Sequence, residues 1–459
     1  MKKLLLCLFI FSTACLNAQQ WTHGRLKVTA DGHYLQFEDG TPFFWLGDTG
    51  WELFHRLTME ETAEYLENRR QKGFNVIQAV LLAEFDGLVK PDRYSQVPLN
   101  NLDPTQPNEK YFTRVDSIIK MAQAKGLFIG LLPTWGDKVT KAWGIGPVVF
   151  NENNAYTYGL FLGKRYKNYP NIIWIMGGDR PAQKDTNDWR PIWRAMVKGI
   201  KEGTENKAIF TYHPSGGSYS TSQFLPNEGW LDINMMQSGH GGGHDVTVWD
   251  MVTRDRNITP TKPTLDAEPN YEDHPVNPWP TWDPKNGYYD DYDVRKQTYR
   301  SVFAGACGVT YGHHSVWQFA SAKEEPINHP KIKTWREALD RPGAYQMGYL
   351  RKLMESRNML NRVPDSTIII TGQGVKGEHI EAFRAADGSY GMVYLPFGKT
   401  ITIRTDFIKT TKVKTTWFNP QTGGWQMGSI QKNSGQLTIT TPTLGAGNDW
   451  VLVLDATKK

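Results

Sequence analysis

At 459 residues the chain exceeds one small domain and suits a large domain with a smaller companion. Its net charge of +5 comes from scattered Lys and Arg, with no basic stripe or helix, which argues against a nucleic-acid partner. The 17 Trp and 20 Tyr suit a protein that stacks sugar rings, and equally one with a large aromatic core.

The opening "MKKLLLCLFIFSTACLNAQQ" reads as a signal peptide over residues 1–18, with Lys2 and Lys3, an apolar segment and a small residue, Ala18, at the cleavage point. This implies export, to the periplasm of a Gram-negative cell. A lipid anchor at Cys15, giving an outer-membrane lipoprotein, is the alternative, although Ser12 stands where such a motif prefers Leu. The segment is too short for a membrane span, and no later stretch resembles one. Cleavage would leave Cys307 as the sole cysteine, so no disulfide framework is expected.

Residues 19–360 repeat one pattern. "LKVTADGHYLQFEDGTPFFW" carries two Asp-Gly turns and reads as a hairpin leading into the first buried strand. "LTMEETAEYLENRRQKGFNVIQAVLL" is a helix capped by Thr58 and Glu61, stopped at Gly73 and followed by a strand over Phe74–Leu82. "EKYFTRVDSIIKMAQAKGLFIGLLPTW" repeats it, with a stop at Gly126 and a strand over Leu127–Leu132. "NIIWIMGGD", "KAIFTYHP", "LDINMMQSGH", "KPTLDAEPNYE" and "CGVTYGHHSVW" continue the series to eight. Apolar strands without alternation, separated by helices, predict an α/β fold with a closed (β/α)₈ TIM barrel. No glycine-rich dinucleotide fingerprint follows the first strand.

From residue 361 to 459 the pattern becomes short alternating strands joined by Gly, Asn, Asp and Pro, as in "HIEAFRAADGSYGMVYLP" and "DWVLVLD". That predicts a small antiparallel β-sandwich. The helix "AYQMGYLRKLMESR" bridges the two domains, and Trp417 and Trp425 read as sandwich core.

Side chains at the C-terminal ends of barrel strands share one bowl. The candidates there are Asp48 on strand 1, Trp135 and Asp137 on strand 3, Asp179 on strand 4, and His213 on strand 5. Strands 6 to 8 add Gln237, His240, Asp266, Glu268, Tyr271, His313, His314 and Trp317. No His-x-His on strand 1 and no His-Glu-x-x-His favours a metal, so neither a metal nor another cofactor is expected. No Gly-x-Ser-x-Gly elbow is present, and Cys307 falls in an expected helix.

Paired carboxylates remain, Asp179 facing Glu268. Glycoside hydrolysis needs two such groups, and a separation of about 5–5.5 Å gives retention, a wider one inversion. Gly177 and Gly178 would leave room for the departing sugar, and the charge of Glu268 would raise the Asp179 pKa. Arg180 would act in the opposite sense. His213, His240, Trp135 and Trp317 read equally as structural residues and as sugar contacts.

The words "FFWLGDTGWELFHRLT", "IIWIMGGDRP" and "TLDAEPNYE" resemble the apiosidase-like glycoside hydrolases, family 140. "TTWFNPQTGGW" resembles the collagen-binding-type sandwich that commonly follows that barrel. The resemblance implies a retaining enzyme that cleaves apiosyl linkages in rhamnogalacturonan II, a plant pectin. It makes Asp179 the general acid/base and Glu268 the nucleophile; their position at strand ends puts Asp48, Trp135, Asp137, His213, Gln237, His240, Tyr271, His313 and Trp317 around the substrate. Another plant furanoside, or an inactive barrel that binds glycan or matrix, are the alternatives. Specificity is expected in "GHGGGHDVT" and "HPVNPWPTWDPKNGYYDDYD", long aromatic and glycine-rich loops.

Overall fold

The computed structural model describes residues 20–457 apart from 218, 323–327 and 330–331. The expected signal peptide and Cys15 lie outside the described residues. The chain enters through three short antiparallel strands, Leu26–Val28, Leu35–Phe37 and Pro42–Phe43, one more than the expected hairpin.

The barrel strands follow, each wholly buried. They are β1 (Trp45–Thr49), β2 (Val76–Val80), β3 (Phe128–Leu132), β4 (Ile172–Gly177), β5 (Phe210–His213), β6 (Asn234–Gln237), β7 (Thr264–Asp266) and β8 (Gly308–Tyr311). They pair in parallel from β5 back to β1, then through β8 and β7 to β6. Between β5 and β6 the ring is joined by Phe210, whose carbonyl accepts from Asp232 N at 2.9 Å, and by Thr211 Oγ1 donating to the Ile233 carbonyl. A two-residue strand, Tyr219–Ser220, adds antiparallel to β6.

Among the described residues, seven helices of nine residues or more cover the ring: α1 (Met59–Gln71), α2 (Glu109–Ala124), α3 (Glu152–Tyr166), α4 (Arg190–Gly203), α5 (Val248–Arg256), α6 (Asp291–Phe303) and α7 (Pro342–Glu355). The Thr58–Glu61 capping box starts α1 as its sequence predicts. Inside the barrel, Trp45, Val76, Phe128, Ile173, Ile175, Met235 and Leu265 form one buried cluster. A polar chain crosses it, from Trp45 Nε1 to Thr310 Oγ1 to Gln78 Oε1, while Gln78 Nε2 donates to the Ala267 carbonyl. Every polar group in that chain is satisfied, which removes the cost of burying it.

Two antiparallel sheets of six and three strands complete the fold as the expected sandwich. Between them lies a core that includes Ile401, Leu452, Leu454 and Trp417, but Trp425 is exposed rather than packed there. The other face of the larger sheet shares a hydrophobic cluster with α6 and α7, in which Tyr299, Phe303 and Leu350 meet Phe383, Tyr394 and Val451. Arg295 adds a buried ion pair to Asp449 at 2.9 Å, and Trp249 stacks on His379 at 3.9 Å. Barrel and sandwich are thus joined by a largely apolar contact in which α6 packs on the sandwich strands, while α7 packs on α6 and the barrel and shares the same cluster.

Candidate active site

At the mouth of β4 the backbone runs through three consecutive residues of positive φ: Gly177 (85°), Gly178 (110°) and Asp179 (51°). A Cβ on Gly177 would stand 2.3 Å from the His213 carbonyl oxygen, and one on Gly178 2.8 Å from the Gly136 nitrogen. The space expected for a departing sugar beside these glycines is therefore filled by neighbouring backbone. Their role is to let the chain turn tightly, which brings the Asp179 carboxyl to the wall of a cavity of about 930 Å³.

Glu268 lines the same cavity, two residues beyond the end of β7. One imidazole lies between the two acids. His213 Nδ1 accepts the backbone N–H of Asp179 at 3.1 Å, so Nε2 carries the ring proton, and Nε2 stands 3.0 Å from Glu268 Oε2. The second contact lies outside ideal hydrogen-bond geometry but aims a proton-bearing nitrogen at the carboxylate. His240 Nε2 approaches the other oxygen, Oε1, at 3.4 Å.

The two carboxyls are driven apart electrostatically. Burial raises the Asp179 pKa; Arg180 opposes this, and the charge of Glu268 adds to it. Burial also works to raise Glu268, but its contacts with His213 and His240 outweigh that and bring it to about 2. A half-buried acid whose pKa is raised beside one whose pKa is lowered matches the division of labour that glycoside hydrolysis needs. Arg180 Nη1 donates to Asp179 Oδ2 at 2.8 Å, and Nη2 reaches Glu84 at 3.3 Å.

The cavity wall is aromatic and carries polar atoms without protein partners. Trp135 packs against Trp51 at 5.2 Å between ring centroids, and Tyr271 OH accepts from Trp51 Nε1 at 3.0 Å. Trp317 is also on the wall. Trp135 Nε1, Gln237 Oε1 and His240 Nδ1 are buried yet meet no protein partner, which leaves them to pair with the hydroxyls of a polyol. The structure thus brings Asp179, Glu268, Trp135, His213, Gln237, His240, Tyr271 and Trp317 together at one site. Both expected rim loops contribute, through His240 and Gly241 of the first and His274 and Trp279 of the second.

Four expected placements are corrected. Asp48 is fully buried and points outward from the barrel, where Arg69 Nε binds it at 2.7 Å and Tyr65 OH donates to it from α1. Trp45 and Gly47 hold the inward positions of β1, so Asp48 falls on the helix side by alternation. His313 is likewise buried away from the cavity, with Nε2 3.0 Å from Asp273 and Nδ1 accepting from Ser315 N. Asp137 is buried against Lys138 Nζ at 3.0 Å and holds the Gly146 amide at 3.3 Å, which anchors a loop instead of touching the cavity. Cys307 lies in the turn between α6 and β8, not in a helix, and burial pushes its thiol up to about 12.

Several wall residues escaped the sequence analysis: Trp51, Glu84 and Trp143. All sit in loops, where no periodicity marks them, and only their aromatic or acidic character near strand ends could have drawn attention. Among the described residues, no group of three or more His, Cys, Asp or Glu is placed to hold a metal ion.

Comparison with known proteins bears on the family of the chain. A family model described as "Apiosidase-like, catalytic domain" matches residues 29–361. A second, "Putative collagen-binding domain of a collagenase", matches residues 363–455. A solved "Glycoside hydrolase" is 34% identical, covering 96% of this chain and 98% of its own, with a TM-score of 0.86. A glycoside hydrolase family 5 structure from Bacteroides vulgatus is 31% identical, covering 96% of this chain and 95% of its own, with a TM-score of 0.87. No curated protein matches the sequence.

Proposed function

The chain belongs to the apiosidase-like glycoside hydrolases, and from that premise we propose that it cleaves apiosyl linkages by double displacement, with Asp179 as general acid/base and Glu268 as nucleophile. In the first step the Asp179 proton passes to the glycosidic oxygen as a Glu268 oxygen bonds to the anomeric carbon and the C–O bond to the leaving group breaks. In the second, Asp179 takes a proton from water, whose oxygen displaces Glu268 and frees the sugar. His213 and His240 stabilise the Glu268 carboxylate before attack and again as it leaves.

The observation that carries this reading is the placing of the two carboxyls on one cavity wall with His213 between them, its Nδ1 3.1 Å from the Asp179 amide and its Nε2 3.0 Å from Glu268 Oε2; the raised Asp179 pKa and the lowered Glu268 pKa agree with it. The substrate we assign is an apiose-bearing side chain of pectic rhamnogalacturonan II. Support comes from the family match together with an aromatic, hydroxyl-binding wall. Export is proposed as well, on the charged and apolar pattern of residues 1–18.

The test is incubation with apiose-linked pectic oligosaccharides. The wild type should release apiose or an apiosyl oligosaccharide, and Glu268→Gln should release almost none. Turnover of other furanosides with no release from apiosides would redirect the substrate assignment.

A further inference from the structure

Asp179 Oδ2 has two donors besides any substrate. One is Arg180 Nη1 at 2.8 Å, and the other is the indole N–H of Trp143 at 3.1 Å. Trp143 is 54% exposed, so burial of its ring does not explain its position. The Arg180 guanidinium lies over that ring, 4.4 Å from its centroid, so that the indole contacts both members of the Asp179–Arg180 pair.

The loop that carries Trp143 is tied down beneath. Lys138 Nζ donates to the Gly146 carbonyl at 2.8 Å and to the Phe85 carbonyl at 2.7 Å, while Asp137 holds the Gly146 amide. At Gly144 a Cβ would come within 2.5 Å of the Asp137 Cβ and 2.7 Å of Arg180 Nη2, so the loop lies directly on the pair. This gives Asp137 a role one step removed from the cavity.

We propose that Trp143 is a positioning residue for the acid: with Arg180 it occupies Oδ2 as an acceptor, so that the transferable proton sits on Oδ1. The inference rests on Asp179 acting as acid/base. A carboxylic acid carries its proton on one oxygen, and an oxygen already accepting two N–H groups is the poorer place for it. After proton transfer the same two donors stabilise the carboxylate. The other groups that bear on Asp179 are Glu268, His213 and Glu84, the last pushed to about 8 by burial, with Arg180 opposing that rise. Loss of the Trp143 donor removes one hydrogen bond to the charged form and therefore raises the Asp179 pKa.

Trp143→Phe keeps a ring over Arg180 and deletes the N–H. With an alkyl apioside, whose departure needs the acid, kcat should fall about tenfold, whereas a nitrophenyl apioside should lose less than about twofold. The basic limb of the pH profile should move upward, with KM little changed. An equal loss on both substrates, or a change in KM alone, would overturn the proposal. A second measurement needs no turnover. The Trp143 indole ¹H–¹⁵N signal, identified by its absence in Trp143→Phe, should move with pH in the wild type and stop moving in Asp179→Asn. An indole signal indifferent to Asp179 would refute the contact even if the enzyme proved to be an apiosidase; a coupled signal in an inactive protein would instead count against the reaction.

Discussion

His213 faces Glu268 at 3.0 Å with its other nitrogen already engaged by the Asp179 backbone. The ring therefore can neither flip nor move its proton to Nδ1 without losing one partner. Replacement by Ala would remove an N–H aimed at Glu268, whose carboxyl would move upward from about 2. His213→Ala should lower kcat by about 10²-fold and shift the acid limb of kcat/KM upward. A pH–rate profile of the variant checks both.

Glu268→Gln removes the nucleophile while keeping its shape. Turnover should fall by about 10³-fold or more. Quenched time courses at saturating substrate would measure this, and a melting temperature near that of the wild type would exclude misfolding.

The pH dependence follows from the sign of each shift. Glu268 must be ionised, and its pKa of about 2 places the acid limb well below neutrality. Asp179 must be protonated, and its raised pKa sets the basic limb, so rate falls as pH climbs through it. Glu268 also favours folding at pH above its ordinary 4.5, a contribution lost as pH falls towards 2. Measured limbs in the reverse order would contradict the assignment of roles.

Much of this was legible because strand ends carry chemistry in a barrel. The stops at Gly73 and Gly126 and the apolar runs after them located β2 and β3, and the acids after β4 and β7 followed from counting strands. Side-chain parity was not legible. In β1 all five residues are buried, so the sequence does not reveal that Trp45 points inward and Asp48 outward. His313 lies beyond β8, where it caps a short helix, so its direction was not legible from the strand. Trp143 was missed because a loop held by Lys138 and Asp137 has no repeating pattern, and its contact with Asp179 exists only in three dimensions.

Asp48 therefore offers a contrast. Its ion pair with Arg69 is fully buried, and removal of one partner should cost about 3–5 kcal/mol. Asp48→Ala should unfold at lower denaturant while the folded fraction keeps the wild-type KM. A raised KM with unchanged stability would return Asp48 to the substrate site.

Gly177→Ala tests the backbone turn. Alanine at φ 85°, with its Cβ 2.3 Å from the His213 carbonyl oxygen, should cost about 1–3 kcal/mol or more and displace Asp179. Chemical denaturation and kcat should fall together.

The most direct measurement is mass spectrometry of the enzyme trapped with a 2-deoxy-2-fluoro apiosyl donor bearing a good leaving group. A single sugar adduct on the peptide that contains Glu268, absent in Glu268→Gln, is the predicted result. No adduct together with a first-formed product of inverted anomeric configuration, or an adduct on a different side chain, would contradict the double displacement.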